Sequence, residues 1–394
     1  MTLDLAARKR ALLDMVGPER AARPNGPKAA GEEDWAEIDA MAAQHRLQPW
    51  LHDRFRNGGI AIPVPQPVSD GWKNAYRHAA LGALTAQAAL VRLSTAMQAH
   101  SVPMVALKGS RLAFFDYREA ALRPMRDIDI LVAPEDLPAA LDALAGIGCD
   151  IPQDRTGAIA RALESDKHLA PIAVPGCDRF VEVHHRIADP GLPCIATDAI
   201  IAASRTDSLG GATVAFPSPE HMLGHLVLHA VYNHRFDCGP LALVDIAMLL
   251  GRETIDAARF AEQAQAGGWL PGARLVLALV ERVMGPTGFD IGQAAVPRDI
   301  IANAEMLLLQ DFDQREQVVL ASQSARSGLA ATVLGRLRKG LAQRPDGGRL
   351  RWISTRTART IRQARDPRSR GEANSGAAVA RWLATAPASG NPLD

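Results

Sequence analysis

The stretch Leu122–Val132, LRPMRDIDILV, decides how this chain folds. Ile128, Ile130 and Val132 alternate with Asp127, Asp129 and Leu131, and a period of two belongs to a β-strand. Successive strand side chains point to opposite faces, so Asp127 and Asp129 share one, about 7 Å apart at the Cα level. Two like charges side by side are unfavourable unless something positive lies near them. The apolar flanks argue for a central strand, where an unpaired carboxylate is costly. The pattern demands a cation, and a metal ion is the expected one.

The flanking sequence builds a sheet around this strand. Upstream, VPMVALKG reads as a short strand ending at Gly109, followed by about two helical turns over SRLAFFDY. Downstream, APEDLPAALDALAGIG reads as a helix, with Pro134 near its start and Gly146 and Gly148 at its end. HLAPIAV, the turn PGCD and RFVEVHHRI predict a hairpin whose second strand carries Glu182 and His184 on one face, with His185 facing away.

On either side the pattern is helical. EEDWAEIDAMAAQHRLQPWLHDRF and WKNAYRHAALGALTAQAALVRLSTAMQAHS have helical apolar spacing, separated by the Pro/Gly stretch NGGIAIPVPQPVSDG. SPEHMLGHLVLHAVY, ALVDIAMLLG and ARLVLALVERVMG follow toward the C-terminus. The expectation is an α+β fold, a small mixed sheet flanked by N- and C-terminal helical regions. Its divisions are a helical region over 1–100, the sheet-bearing domain over 101–216, a helical domain over 217–320, and a basic helical segment with a disordered tail over 321–394.

Composition narrows the function classes. At 394 residues the chain exceeds one typical core, and 47% apolar residues suffice to bury two or three packed units. Cys149, Cys177, Cys194 and Cys238 show no metal-ligand spacing and read as free thiols of a reducing compartment. The N-terminal sequence lacks an apolar signal core and no long apolar run appears, so a cytoplasmic protein without a membrane span is expected. Net charge is only +1, yet residues 326–370 hold thirteen Lys or Arg against Asp346 and Asp366. That segment reads as a solvated face, an internal contact with the acidic remainder, or a docking surface for an acidic partner.

Three carboxylates on adjacent strands, Asp127, Asp129 and Glu182, suit a hard divalent cation. Mg²⁺ takes oxygen ligands in near-octahedral geometry, usually one or two carboxylates plus substrate phosphates, and Mn²⁺ is its nearest substitute. Ions clamped between carboxylates and a triphosphate assist an in-line displacement. Gly109 would let the backbone approach a phosphate, the helix start beyond it would offer N–H groups, and Lys108, Ser110 and Arg123 are natural phosphate contacts. Against this, Asp127 and Asp129 could be a solvated strand face, Glu182 an ordinary half-exposed acid, and Lys108 a strand end. As functional groups, Glu182 would complete the metal site or act as general base, and His184 reads as an orienting group, a proton acceptor or a structural histidine. Arg126 should point away from Asp127, and Arg123 or Arg126 could instead be structural partners of Asp116 or Glu119.

These residues, LKGS, RPMRDIDILV and VEVHH, resemble the DNA polymerase β-type nucleotidyltransferase superfamily, with its Gly-Ser turn, acid-x-acid strand and later third acid. With PSPEHMLGHLVLHA and LVDIAMLL, the stretch from Trp35 to Leu250 more closely resembles a bacterial family of uncharacterised nucleotidyltransferases. The resemblance implies Mg²⁺, ATP or another NTP as donor, and metal ligands at Asp127, Asp129 and Glu182. It implies transfer of a nucleoside monophosphate to an acceptor hydroxyl or phosphate, on a small molecule or peptide sooner than on RNA. Lys108 departs from the apolar residue of the wider superfamily, and the Ser110–Asp127 gap is longer than in small antibiotic-modifying members.

Two other classes compete. A non-catalytic nucleotide-binding adaptor would present the basic segment to a partner. A metal phosphohydrolase would use His221, His225 and His229, which recur every four residues on one helix face, with Asp245 from the next helix. The same face could instead line the acceptor pocket, where the resemblance marks His229.

Overall fold

The structure is a computed structural model and describes residues 2–18, 30–292, 295–310 and 367–386. They fall into two compact units, one within Met1–His234 and Pro240–Ala295, the other within Arg235–Gly239 and Val296–Ala386. Everything that concerns the site lies in the first.

Its helices α1 (Leu5–Val16), α2 (Glu32–Gln44), α3 (Gln48–Arg56) and α4 (Gln66–Ala99) precede the sheet. Asp4 caps α1 by accepting from the Ala7 N–H at 2.7 Å. The helical pattern expected across residues 32–55 is split at Arg46–Leu47, and Pro49 fits the first turn of α3, where its missing N–H costs nothing. Helix α4 buries Ala86, Ala89, Leu90, Leu93 and Met97 in one core with Ile128, Ile130, Val181 and Val183. The apolar face of the acidic strand therefore looks into this core, and its acids look the other way.

Strand β1 (Val105–Ala106) leads through the short helix α5 (Gly109–Arg111) and a π-helical turn over Leu112–Asp116 to β2 (Asp127–Leu131). Helices α6 (Leu137–Gly146) and α7 (Arg155–Ser165) follow, then β3 (Ile172–Ala173), β4 (Phe180–His184) and α8 (Thr197–Ala202). A second hairpin, β5 (Arg205–Leu209) and β6 (Ala212–Phe216), completes the sheet and is not among the strands expected from sequence. Its strands are short and alternate poorly, so the period-two signal is weak there.

The six strands run in the order β3-β4-β2-β1-β6-β5, a mixed sheet. β2 lies parallel to β4 with Asp127 beside Phe180, Asp129 beside Glu182 and Leu131 beside His184. β1 is antiparallel to β2 and parallel to β6. The expected β3–β4 hairpin forms, antiparallel, with fewer paired residues than its sequence suggested. Beyond the sheet come α9 (Pro219–Leu228), extended by a π-helical turn over His229–Asn233, then α10 (Leu241–Arg252), α11 (Ala257–Ala266) and α12 (Leu270–Met284). Ser218 caps α9 through the His221 N–H.

In the second unit α13 (Arg298–Leu307) packs against α14 (Pro367–Thr385). Helix α14 runs through Thr385, into the region expected to hold the tail. The basic segment over 326–370 lies outside the described residues except for the first turn of α14. Among the described residues no helix is long and apolar enough to cross a membrane, and the four cysteines are free.

Candidate functional site

The parallel register of β2 and β4 brings Asp127, Asp129 and Glu182 onto one face of the sheet, together with Phe180 and His184. Asp129 is buried and carries two cationic partners on one oxygen. Lys108 Nζ lies 3.2 Å from its Oδ1, and His184 Nε2 2.8 Å from the same atom. Burial alone would raise the Asp129 pKa, but Lys108 and His184 outweigh it and hold the carboxyl well below its usual range. The positive charge that the strand demands is thus supplied, for Asp129, by the chain itself.

His184 is fully buried, and burial would lower its pKa. Hydrogen bonds to Asp129 and Glu182 reverse this and raise it. Its Nδ1 faces the Arg186 carbonyl at 3.3 Å. Both ring nitrogens thus face oxygen atoms, Nε2 the Asp129 carboxylate and Nδ1 the Arg186 carbonyl, which fixes the ring's direction. The hydrogen bond from His184 also lowers the pKa of Glu182, which favours a ligand over a base. His168 approaches Glu182 from the other side at 3.6 Å and packs edge-on against His184.

Asp127 is different. Among the described residues its carboxylate accepts no hydrogen bond and forms no ion pair. Burial, then the negative charge of Asp129, raises its pKa, and Glu182 adds to the shift. Lys108 and Arg123 offset this only in part. Ligand atoms of Asp129, Glu182 and His184 lie within 4.8 Å of one another. Asp127, expected from sequence as a ligand beside Asp129 and Glu182, lies on the same face but is not part of that group, and His184 stands in its place.

The phosphate contacts expected from sequence are arranged otherwise. Arg123 donates Nε and Nη2 to Asp245 at 3.1 and 2.9 Å, and Tyr117 Oη donates to the same carboxylate at 2.7 Å. Arg123 is thus a buried structural partner, its pKa raised because the pull of Asp245 outweighs burial. Gly109 is glycine for this reason: a Cβ there would collide with the Arg123 guanidinium and lie 2.9 Å from Met125. The space is filled by the protein, not held open for a phosphate. Helix α5 has only three residues, and its Ser110 and Arg111 N–H groups already bond Leu107 and Lys108 carbonyls. Lys108 is 8% exposed and turned to Asp129, not a solvated strand end. It stands at φ +40°, ψ −111°, a backbone state suited to glycine.

Helix α9 closes one side. His225 is buried with neither ring nitrogen hydrogen-bonded, and Nδ1 of His221 and of His229 is likewise without a partner. Burial, then Lys108, pushes the pKa of His225 and of His229 well down, so both are neutral imidazoles close enough to sense Lys108 and Asp129. Among the described residues these histidines form no three-ligand metal group, and Asp245 is committed to Arg123 and Tyr117. His185 faces away, as expected, with Nε2 at 3.3 Å from the Ala162 carbonyl.

Phe180 was missed in the sequence. It is 53% exposed, on the acid-bearing face beside Asp127, while its neighbours Val181 and Val183 are fully buried. A phenylalanine in a strand pattern reads as core; only the register reveals that its ring faces solvent at the site.

The model of a family described as uncharacterised nucleotidyltransferases matches residues 31–285, well over half of the chain. No curated protein and no solved structure matches it. The chain belongs to that nucleotidyltransferase family, and the match extends past Leu250 to take in α11 and α12.

Proposed function

We propose that this protein is a Mg²⁺-dependent nucleotidyltransferase that moves a nucleoside monophosphate from an NTP, with ATP the expected donor, to an acceptor hydroxyl or phosphate on a small molecule or peptide. The observation that carries the reading is the face shared by Asp127, Asp129 and Glu182, where among the described residues Asp127 forms no ion pair and Lys108 and Arg123 offset its burial only in part. Asp127, Asp129 and Glu182 would hold the cation, and Mn²⁺ would serve as its substitute. A divalent ion bound there would neutralise phosphate charge and lower the pKa of an attacking oxygen.

The acceptor oxygen attacks the α-phosphorus, the bond to the bridging oxygen breaks, and pyrophosphate leaves with that electron pair. Lys108 and His184 keep Asp129 ionised and fixed in direction. The exposed ring of Phe180 offers a stacking surface for the nucleobase. The neutral imidazoles of His225, with neither ring nitrogen hydrogen-bonded among the described residues, and of His229, with Nδ1 likewise open, suit an acceptor hydroxyl.

The test is label transfer with α-labelled and γ-labelled ATP in parallel, with Mg²⁺ and cell extract as the acceptor source, and Asp127→Asn as control. Label carried to an acceptor from the α position alone, and lost in the variant, is the expected result. Transfer from the γ position would make the protein a kinase. Nucleotide binding without transfer from either position would favour the adaptor.

A further inference from the structure

Near the start of the acidic strand, Arg46 reaches in from the turn between α2 and α3. Helix α2 ends at Gln44, and the chain closes it with Arg46 N–H to the Ala43 carbonyl and Leu47 N–H to the Ala42 carbonyl, 3.0 and 2.8 Å. This pairing needs a left-handed residue just past the cap, a position that usually holds glycine. Here it holds Arg46, at φ +59°. An arginine in that conformation is strained, so the backbone alone gives no reason for the side chain.

The side chain is poorly satisfied. Nη1 donates to the Pro124 carbonyl at 3.2 Å, while Nε is shut off from water and has no hydrogen-bond partner. Burial is the main force lowering the Arg46 pKa, to about 10, followed by the positive charges of Arg123 and Arg126. Asp245 and Asp127 offset this only in part, and Asp245 is already held by Arg123. Arg126 Nη2 in turn reaches the Gln44 carbonyl at 3.4 Å, so the Arg46 and Arg126 guanidinium groups lie side by side at the Arg123–Asp127 loop. A partly buried guanidinium with an idle, enclosed donor beside another of like charge is stabilised by an anion. Its place next to Asp127 makes a multiply charged phosphate chain the anion that fits, since cation and phosphates must meet at one point.

We propose that Arg46 binds the polyphosphate end of the nucleotide, the part that leaves as pyrophosphate, and so takes the role that Arg123 cannot fill. This rests on the nucleotidyltransferase reading above. It makes the N-terminal helical region part of the nucleotide site.

Arg46→Gly provides the test, because glycine relaxes the left-handed turn while removing the guanidinium. Binding of inorganic pyrophosphate and of ATP by wild type, Arg46→Gly and Arg46→Lys would be measured by calorimetry, with thermal melts alongside. The expected result is an unchanged or raised Tm for Arg46→Gly, with affinity for both ligands reduced about tenfold or more and partial recovery in Arg46→Lys. Wild-type affinity in a folded Arg46→Gly would overturn the assignment and leave the nucleotidyltransferase reading standing. A wild-type protein that binds neither ligand would overturn both.

Discussion

Arg123 and Asp127 stand four residues apart on one stretch of chain, yet they belong to charge clusters of opposite kinds. Around Arg123, Asp245 and Tyr117 every charge has its complement: two donors of the guanidinium and one hydroxyl converge on a single carboxylate. Around Asp127, three carboxylates crowd one face, and the protein balances Asp129 through Lys108 and His184 but leaves Asp127 without a counterion among the described residues. The first arrangement is complete as folded and ties the loop before β2 to α10. The second leaves one carboxylate without an ion pair among the described residues, which is why the proposed function places binding there.

The sharpest way to break this comparison is to neutralise each acid of the open cluster separately. Asp127→Asn and Asp129→Asn should each lower nucleotidyl transfer by about 10³-fold or more, the several kcal/mol that a clamped cation supplies. Their stabilities should differ in sign. Asp127→Asn removes a charge that burial and Asp129 already disfavour, so its Tm should hold or rise. Asp129→Asn strands Lys108 and His184, so its Tm should fall. Equal loss of stability in both would show Asp127 to be as structural as Asp129.

The closed cluster should answer in stability instead of turnover. Asp245→Asn leaves the Arg123 guanidinium buried and without its counter-charge, at a cost of about 3–5 kcal/mol. The double change Arg123→Leu with Asp245→Leu should recover most of that loss, because two apolar side chains need no counter-charge. Urea titrations of the single and double variants would measure the coupling. A large rise in KM for ATP in the double variant, at full folding, would return Arg123 to the phosphates.

Phe180 extends the open cluster to the nucleobase. Phe180→Ala should raise KM for ATP by roughly tenfold, about the 1–3 kcal/mol of an aromatic–base stack, with Phe180→Trp close to wild type. Equal KM values in all three proteins would remove it from the nucleotide site.

The smallest effect concerns Asp116, buried against Arg111 at 3.4 Å with its Oδ1 unpartnered. Burial raises its pKa from 3.8 to about 6. The folded value lies above the unfolded one, so ionising Asp116 opposes folding increasingly from pH 4 to pH 6 and fully above that. Asp116→Asn should therefore stabilise the protein at pH 7 by roughly 1–2 kcal/mol, since the amide keeps one polar oxygen without a partner. The gain should vanish at pH 4, and melts at the two pH values would check it.

Much of the site was legible because it depends on short-range rules. Strand alternation alone puts Asp127 with Asp129, and Glu182 with His184, on common faces. Alternation is silent on exposure, so only the parallel register, which sets Phe180 beside Asp127, singles that residue out. Gly109 was recognised as a place where something approaches closely, but the identity of that neighbour, Arg123, could not follow from spacing. Arg46 carried no signal at all, since an arginine at a helix end reads as an ordinary favourable C-terminal charge. Only its left-handed backbone marks it as out of place.

The sequence by itself determined the α+β class, the strand that presents two acids on one face, the third acid on a later strand, and the likeness to nucleotidyltransferases. Tertiary structure alone decided which charge meets which. Asp129 finds His184 across 55 residues, and Arg123 finds Asp245 across 122. Side-chain direction along a strand is fixed by the local backbone and can be read from the chain, whereas an ion pair depends on which distant segments the packing of apolar faces brings together.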